Sequence, residues 1–577
     1  MSNTLGHKLA WGLAAIVFAI LGTTSLLATL DGSPTVYIRF GQAAFFSLAI
    51  WTVLLAALRR VWLVLALALP FALLLPVDVW MRLEMGQPIS SRSLALAMET
   101  SPSEAANFLL TYGTRLSFLF LAWLIIYLIT LWLAYRHKII WRNRANIWIL
   151  LIIPAIIGIQ FLQTGSPTWV NDDPSTDPFD GKGVAGWSLE WEDTFPVNLI
   201  VAFQHYNQEM KRLEKTQSAL NQQSLNGGVL KPDTAPEMVV LVIGESATAS
   251  HWSLLGYPRK TNPRLESESN LVAFSDVVSL STATRSAVPV ALSRRPVLRP
   301  DGTVDLQAEP SLIKAFGEAG YQTHWFSNQT PFGKHDTSIT VYAREANNVR
   351  FINPSTFKSK SSLDEILLEP LSRVVNSPGR HLVILHTLGS HFEYALRYPE
   401  SFNNFTPLTK KNEATDIKQD ASNELVTNSY DNTIAYTDYV LSEVIRIVKA
   451  REGRAFVAYF SDHGIDLPGG KCQYKTDMRG GESSYQVPVL FWFSTRMRRD
   501  HLPQWQQLQK NKDDPMTTRA MFATLLELGS VRITGELPGE NFLRLDQVKR
   551  IPRMVAVGNK MVDFDQAAKR NACRISP

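Results

Sequence analysis

"AFVAYFSDHG", residues 455–464, runs apolar residues together and then sets an acid, an imidazole and a glycine side by side. An unbroken apolar run of that length reads as a strand buried on both faces. Four other stretches read the same way: "MVVLVIGES" (238–246), "YQTHWFSN" (321–328), "HLVILHTLGSH" (381–391) and "VPVLFWFS" (487–494). Between them, "PSLIKAFGEAG" and "TIAYTDYVLSEVIRIVKAR" carry helical spacing. Strands alternating with helices predict an α/β domain whose central, mostly parallel sheet is covered on both faces.

In open α/β sheets, ligand sites form just beyond the carboxyl ends of the strands. Three of these strands end in groups that bind metals or transfer protons: Glu245 after the first, His391 after the third, and Asp462–His463 after the fourth. A lone strand-end Glu more often caps a helix or joins a salt bridge, and Asp-His-Gly also suits a turn with a capping Asp. Three such ends on one sheet form a mixed carboxylate–imidazole set suited to a zinc-like ion. A nucleophile is expected nearby, because a metal-bound hydroxyl loses its proton more readily. "SLSTATRSAVPVALSR" (279–294) is rich in hydroxyls, and spacing alone leaves Ser281, Thr282, Thr284 and Ser286 equally eligible.

The amino-terminal third is of another kind. At 577 residues the chain exceeds one compact domain, and its 46% hydrophobic content averages unlike parts. A bilayer crossing takes about 20 mainly apolar residues. Five stretches qualify, near 9–29, 41–58, 62–80, 114–135 and 146–163, the third containing Pro70 and Pro76. One run alone would suit a signal peptide; five make a polytopic anchor. Lys8, Arg59, Arg60 and "YRHKIIWRNR" (135–144) then fall in the cytoplasm, while Arg39, Arg82, Arg92 and Arg115 are spread over the outer loops. Five crossings place everything after about residue 165 outside the cytoplasmic membrane. The net charge of +5 is thus a topology signal and carries no nucleic-acid inference.

The expected organisation is a transmembrane domain (1–165) with an outer loop at 81–113, a linker and bridging helix (166–237), and an α/β domain (238–577). Within the loop, "SLALAMETSPSEAANFL" suits one or two short helices on the membrane surface. "FPVNLIVAFQHYNQEMKRLEKTQSALNQQ" (195–223) has the character of the bridging helix, and "NGGVLKPDTAPE" (226–237) breaks it. Both cysteines, Cys472 and Cys573, lie in the exported part, where either one bridge pinning the C-terminal tail or two buried thiols is consistent.

"VLVIGESATASHWSLLGYPRKTNPRL" (240–265), "STATRSAVP" (281–289), "LHTLGSHFEYALRYP" (385–399), "AYFSDHG" (458–464) and "FPVNLI" (195–200) together resemble the membrane-bound phosphoethanolamine transferases of Gram-negative bacteria. That family lies in the alkaline-phosphatase superfamily. The resemblance implies an alkaline-phosphatase-type periplasmic domain on a five-helix inner-membrane anchor. It implies that Glu245, Thr284, Asp462 and His463 hold at least one Zn2+, with Thr284 the nucleophile, aligned through T-x-T-x-x-x-V-P (Thr282, Thr284, Val288, Pro289). His391 matches a position beside the transferred phosphate. Thr100 and Glu104 keep the spacing of residues that bind the ethanolamine end, although an Asn that some members carry is Leu96 here.

The implied reaction moves phosphoethanolamine from phosphatidylethanolamine to lipopolysaccharide (lipid A or core) or a periplasmic glucan, and releases diacylglycerol. A monomer is expected. Many members place a second His after Asp-His-Gly and a Glu at the position of Ile465. This chain instead has Tyr474, Lys475 and Asp477, with Lys475 expected to meet the phosphate and the second metal left open. A sulfatase needs C/S-x-P-x-R, which "TRSAVPV" does not supply. A non-catalytic relative would be expected to have lost a zinc ligand, and none of the four is missing.

Overall fold

The computed structural model describes the chain apart from residues 1, 27–33, 86–87, 90–93, 95–101, 165–193, 295–308, 330, 332–336, 354–362, 393, 410–420, 468–479, 536, 538, 545–551, 558–559 and 577. It divides into two compact units, Met1–Gln208 and, from Glu209 on, Glu209–Phe357 with Ser361–Pro577.

The first unit contains α1 (Ser2–Thr23), α2 (Pro34–Leu58), α3 (Val61–Met85), α4 (Pro102–Arg136) and α5 (Asn146–Thr164), and it includes the start of α6 (Val197–Asn221). Among the described residues, four helices are long and apolar enough to cross a membrane: Thr4–Leu26, Gly41–Leu58, Val61–Arg82 and Phe118–Arg136. The fifth expected span forms a helix, but its described apolar part, Asn146–Ile159, is shorter. Helix α3 continues to Met85 and α4 starts at Pro102, both inside the expected outer loop 81–113. Hydropathy marks where lipid contact ends. Glu104, Ala105, Ala106, Leu109 and Leu110 are good helix formers, and the helix runs on through Gly113 into the apolar span.

Arg82, counted above among the outer-loop cations, is buried. Its Nε donates to Asp78 Oδ2 at 2.8 Å, while Asp78 Oδ1 accepts from Ile89 N (2.9 Å) and Asn198 Nδ2 (2.8 Å). Such a pair inside an apolar bundle persists only when each charge has partners.

The second unit is built on a seven-stranded sheet: β1 (Met238–Gly244), β2 (Leu271–Phe274), β3 (Gln322–Ser327), β4 (Asn348–Phe351), β5 (His381–His386), β6 (Ala455–Ser461) and β7 (Val489–Phe493). Their order is β2-β7-β6-β1-β5-β3-β4. Every pairing is parallel except those of β7, which is antiparallel to both neighbours.

The apolar runs are continuous because both faces are covered. In β1, Val239, Leu241 and Ile243 face a core shared with the helices Leu312–Glu318 and Ala520–Leu528. Met238, Val240 and Val242 face a second core shared with Leu368–Val375 and the long helix Ala421–Lys449. The four-residue strands β2 and β4 were not legible as strands, being too short to show a pattern. The long helix was expected only from residue 433. Its first turns carry "NELVTNSYDN", whose polar residues mask the helical period.

Cys573 is disulfide-bonded, which removes the free-thiol alternative for it, and the only other cysteine in the chain is Cys472. The described residues flanking 468–479 are tied down. Gly481 N donates to Asp466 Oδ2 (2.7 Å), Glu482 N to Ala572 O (2.8 Å) and Ile575 N to Gly480 O (2.7 Å).

Candidate metal centre

The three ligand-bearing strand ends are adjacent. β6, β1 and β5 are consecutive in the sheet, and Gly244 pairs with Ser461, so the residues that follow, Glu245 and Asp462, leave side by side. Thr284 comes from elsewhere in sequence, as the first residue of α7 (Thr284–Leu292), whose remaining turns are buried from Ser286 onward. A helix amino terminus favours negative charge developing next to it.

Glu245, Asp462 and His463 are almost wholly buried, and one ligand atom of each lies within 4.8 Å of the others. Among the described residues this is the one group of three such donors. His463 Nε2 lies 3.4 Å from Glu245 Oε1 and 3.5 Å from Asp462 Oδ2. The half-buried Thr284 donates its hydroxyl to Glu245 Oε2 at 3.1 Å.

These residues fit a divalent cation. His463 Nδ1 lies 2.8 Å from Gly464 O, and donation there leaves the Nε2 lone pair facing two carboxylates. Asp462 Oδ1 accepts from Ser246 N (3.0 Å) and His463 N (2.7 Å), whereas the buried Oδ2 has no hydrogen-bond partner. Burial, then the charge of Glu245, pushes Asp462 up to about 7. Burial acts upward on Glu245 too, but His463, by hydrogen bond and by charge, and His391 by charge hold it well below the usual carboxylate range. Two carboxylates converge here on one imidazole, and a cation relieves that crowding.

Glycine is required at two points. Gly389 has φ +49°, and a Cβ there would sit 2.7 Å from Glu245 O and 2.9 Å from its N. Gly464 has no unusual φ; a Cβ would collide with Ser483 O. The glycine of Asp-His-Gly therefore answers to packing.

His391 follows β5 on a loop closed by its own N–H to Leu388 O (3.2 Å). Glu104 falls in the first turn of α4, and Thr100 and Lys475 lie outside the described residues, as do Tyr474 and Asp477.

Several supporting residues went unread in the sequence. Gln329, just past the carboxyl end of β3, donates to Glu245 Oε2 (3.3 Å) and Thr387 O (2.9 Å). Its place after a strand end was visible in the sequence, but an amide neither titrates nor ranks as a metal ligand, so the criterion that found Glu245 passes over it. Ser246 has φ +56° and donates its hydroxyl to Glu245 Oε1 (2.6 Å). The buried Asp364 accepts from Leu388 N (2.7 Å) and Gly389 N (2.8 Å), fixing the loop before His391. No local signal marks Asp364.

The sulfatase family matches residues 237–531, just over half of the chain. The chain belongs to the sulfatase family. Relatives that it matches include proteins named phosphoethanolamine transferases. It is 27% identical over 493 residues to phosphoethanolamine transferase EptC of Escherichia coli (strain K12), covering 83% of this chain and 82% of that one. It is 28% identical over 511 residues to phosphoethanolamine transferase CptA of Salmonella typhimurium, with the same shares covered. Among solved structures, the C-terminal periplasmic domain of EptC from Escherichia coli, in complex with Zn, superposes with a TM-score of 0.53 at 27% identity. That match covers 61% of this chain and 98% of the other. In this sulfatase-family chain the position that follows Ala283 and opens α7 is a threonine.

One neighbour of the site makes a pH prediction. His386, at the end of β5, is buried with Nε2 unpartnered, its ring edge-on to Trp325. Burial pushes its imidazole down to about 4, against the opposing pull of Glu245. The unfolded chain takes up that proton near pH 6.5 and the folded chain does not. This histidine's share of stability is therefore present above pH 6.5 and lost as pH falls toward 4, at up to about 1 kcal/mol per pH unit. Thermal midpoints of the full chain and of His386→Gln should diverge between pH 7 and 5, the wild type falling faster. Parallel curves would place the pH dependence elsewhere.

Proposed function

We propose that this chain is a zinc-dependent phosphoethanolamine transferase of the bacterial inner membrane. It takes phosphoethanolamine from phosphatidylethanolamine, holds it on Thr284, and passes it to a cell-envelope acceptor. The observation that carries this reading is the buried Glu245–Asp462–His463 group with the Thr284 hydroxyl 3.1 Å from Glu245 at a helix amino terminus. The relatives' names supply the group transferred.

Glu245, Thr284, Asp462 and His463 would hold the Zn2+, which would supply positive charge to ease loss of the Thr284 proton and to offset the charge around phosphorus. Thr284 Oγ attacks phosphorus, and the bond from phosphorus to the glycerol oxygen breaks. Its electron pair leaves on that oxygen, which takes a proton and departs as diacylglycerol. An acceptor hydroxyl or phosphate oxygen then attacks the same phosphorus and Thr284 Oγ leaves. His391, close enough to Glu245 to influence its charge, serves the transferred group as a proton donor or electrostatic partner. Lys475 adds positive charge at the phosphate, and Thr100 and Glu104 meet the ethanolamine end.

In this reading residues 1–165 form a five-span anchor, 166–237 the linker and bridging helix, and 238–577 the periplasmic catalytic domain. The anchor confines the enzyme to the surface where its lipid donor lies. The acceptor is lipopolysaccharide lipid A or core, or a periplasmic glucan, and the enzyme is a monomer. Incubating the purified chain and zinc with headgroup-intact fluorescent phosphatidylethanolamine should release labelled diacylglycerol, and adding lipopolysaccharide should speed it. Release that ignores every acceptor would make the protein a hydrolase.

A further inference from the structure

Two loops that carry the site are tied to one helix face, that of α8 (Ala421–Lys449), whose residues Asn428 to Thr433 are all buried although six in a row are polar or aromatic-polar. Tyr430 Oη donates to Ser246 O and accepts from Thr248 N, both at 2.8 Å. It thereby bridges the turn that directly follows Glu245 and holds Ser246 at its positive φ. Three residues on, and so on the same helix face, the hydroxyl of Thr433 is hydrogen-bonded to that of Ser390 at 2.7 Å. Ser390 precedes His391, and its N–H donates to Glu245 O at 2.9 Å. The tyrosine ring is fixed edge-on to Tyr394 (5.1 Å) and His251 (5.3 Å). His251 in turn meets Asp431, which also accepts from Tyr257 and Arg259.

We infer that Tyr430 and Thr433 are positioning residues: Tyr430 sets the Glu245 turn for metal binding, and Thr433 sets the His391 loop for the phosphoryl group. The inference rests on the metal-centre reading above. The physical reason is the αL backbone of Ser246, a non-glycine residue in a sparsely populated region that persists only when its surroundings hold it. A metal ligand leaving such a turn keeps its aim only while the turn is clamped at both ends. Tyr430 supplies one clamp and the Ser246 N–H to Asp462 the other. Supporting hydrogen bonds behind metal ligands typically contribute about 10–100-fold in affinity.

The test uses the full chain in detergent and reads zinc affinity by chelator competition beside turnover of fluorescent phosphatidylethanolamine. Tyr430→Phe removes one oxygen and should weaken zinc roughly 10-fold, with turnover recovering in excess zinc. Thr433→Val should leave zinc affinity within about twofold of wild type while lowering kcat roughly 10-fold at saturating zinc. Asn432→Ala removes three bonds from the same helix, to Phe405 N and O and to Tyr398 Oη (3.4 Å), and should lower the melting temperature without moving either readout. Unchanged zinc affinity in Tyr430→Phe, or equal weakening in Asn432→Ala, overturns the inference. Should Tyr430→Phe fail to accumulate, Thr433→Val decides, and an unchanged kcat there overturns it. Wild type that binds no zinc overturns the metal-centre reading instead.

Discussion

Thr284→Ala should reduce release of diacylglycerol from phosphatidylethanolamine by at least about 1000-fold, because no other group replaces a covalent nucleophile. The substitution is structurally mild. Thr284 is half-buried at the first position of α7, its hydroxyl bonds only toward the site, and the helix is anchored by the buried stretch Ser286–Leu292. Melting temperature should therefore move little, which separates loss of chemistry from loss of fold. Thr284→Ser keeps the oxygen and should retain measurable turnover. Brief exposure of the wild type to donor without acceptor should leave phosphoethanolamine on the peptide containing residue 284, detected by mass spectrometry. Turnover near the wild-type level in Thr284→Ala would transfer the nucleophile's role to one of the neighbouring hydroxyls, Ser281, Thr282 or Ser286.

Asp462→Asn should have nearly as large an effect on function and, unlike Thr284→Ala, should raise the stability of the metal-free protein. The amide keeps the shape and can still accept from Ser246 N and His463 N. It removes the charge beside Glu245, so zinc affinity and turnover should each fall by at least about 100-fold. The stability sign follows from the raised Asp462 carboxyl, held near 7 by burial and by Glu245. In metal-free protein the folded state keeps that proton where the unfolded chain, titrating near 4, has lost it. The contribution to stability is therefore full below pH 4 and is lost as pH rises through 7. At pH 8, metal-free Asp462→Asn should melt higher than metal-free wild type, and adding zinc should raise wild type alone. A variant that melts lower at pH 8 without metal would mean that the carboxylates are not in electrostatic conflict.

Much of this fold was legible because it rests on local patterns. β1 and β6 are continuous apolar runs since they are buried on both faces, alternating residue by residue between the two cores. The site residues at their ends were legible for the same reason, as a strand end is visible wherever an apolar run meets a polar group. The fourth donor was not. Spacing left four hydroxyls open, and resemblance to a family singled out Thr284, which the fold seats at the start of α7.

Other readings failed where a pattern was masked by burial of polar groups. The first turns of α8 looked too polar to be a helix facing the core, yet Asn428, Tyr430, Asp431 and Thr433 are buried because each meets a loop. Arg82 looked like a loop cation because nothing near it in sequence announces that Asn198 also reaches its partner Asp78. Hydropathy did not show that α4 begins at Pro102, because it measures contact with lipid, whereas a helix ends where propensity or capping ends it.

The amino-acid sequence by itself determined the five longer strands, the apolar helices, and which side chains can serve a metal. Those properties belong to runs of a few residues and survive in any context. Tertiary structure decided that β6, β1 and β5 are neighbours, so that Glu245 and Asp462, 217 positions apart, leave the sheet together. It decided that Gly464 must be glycine, because Ser483 O occupies the space of a Cβ. It also decided that a tyrosine on a distant helix steadies the turn after Glu245. These depend on which partner satisfies a buried polar group, and that partner is set by the packing of distant segments, which no local period encodes.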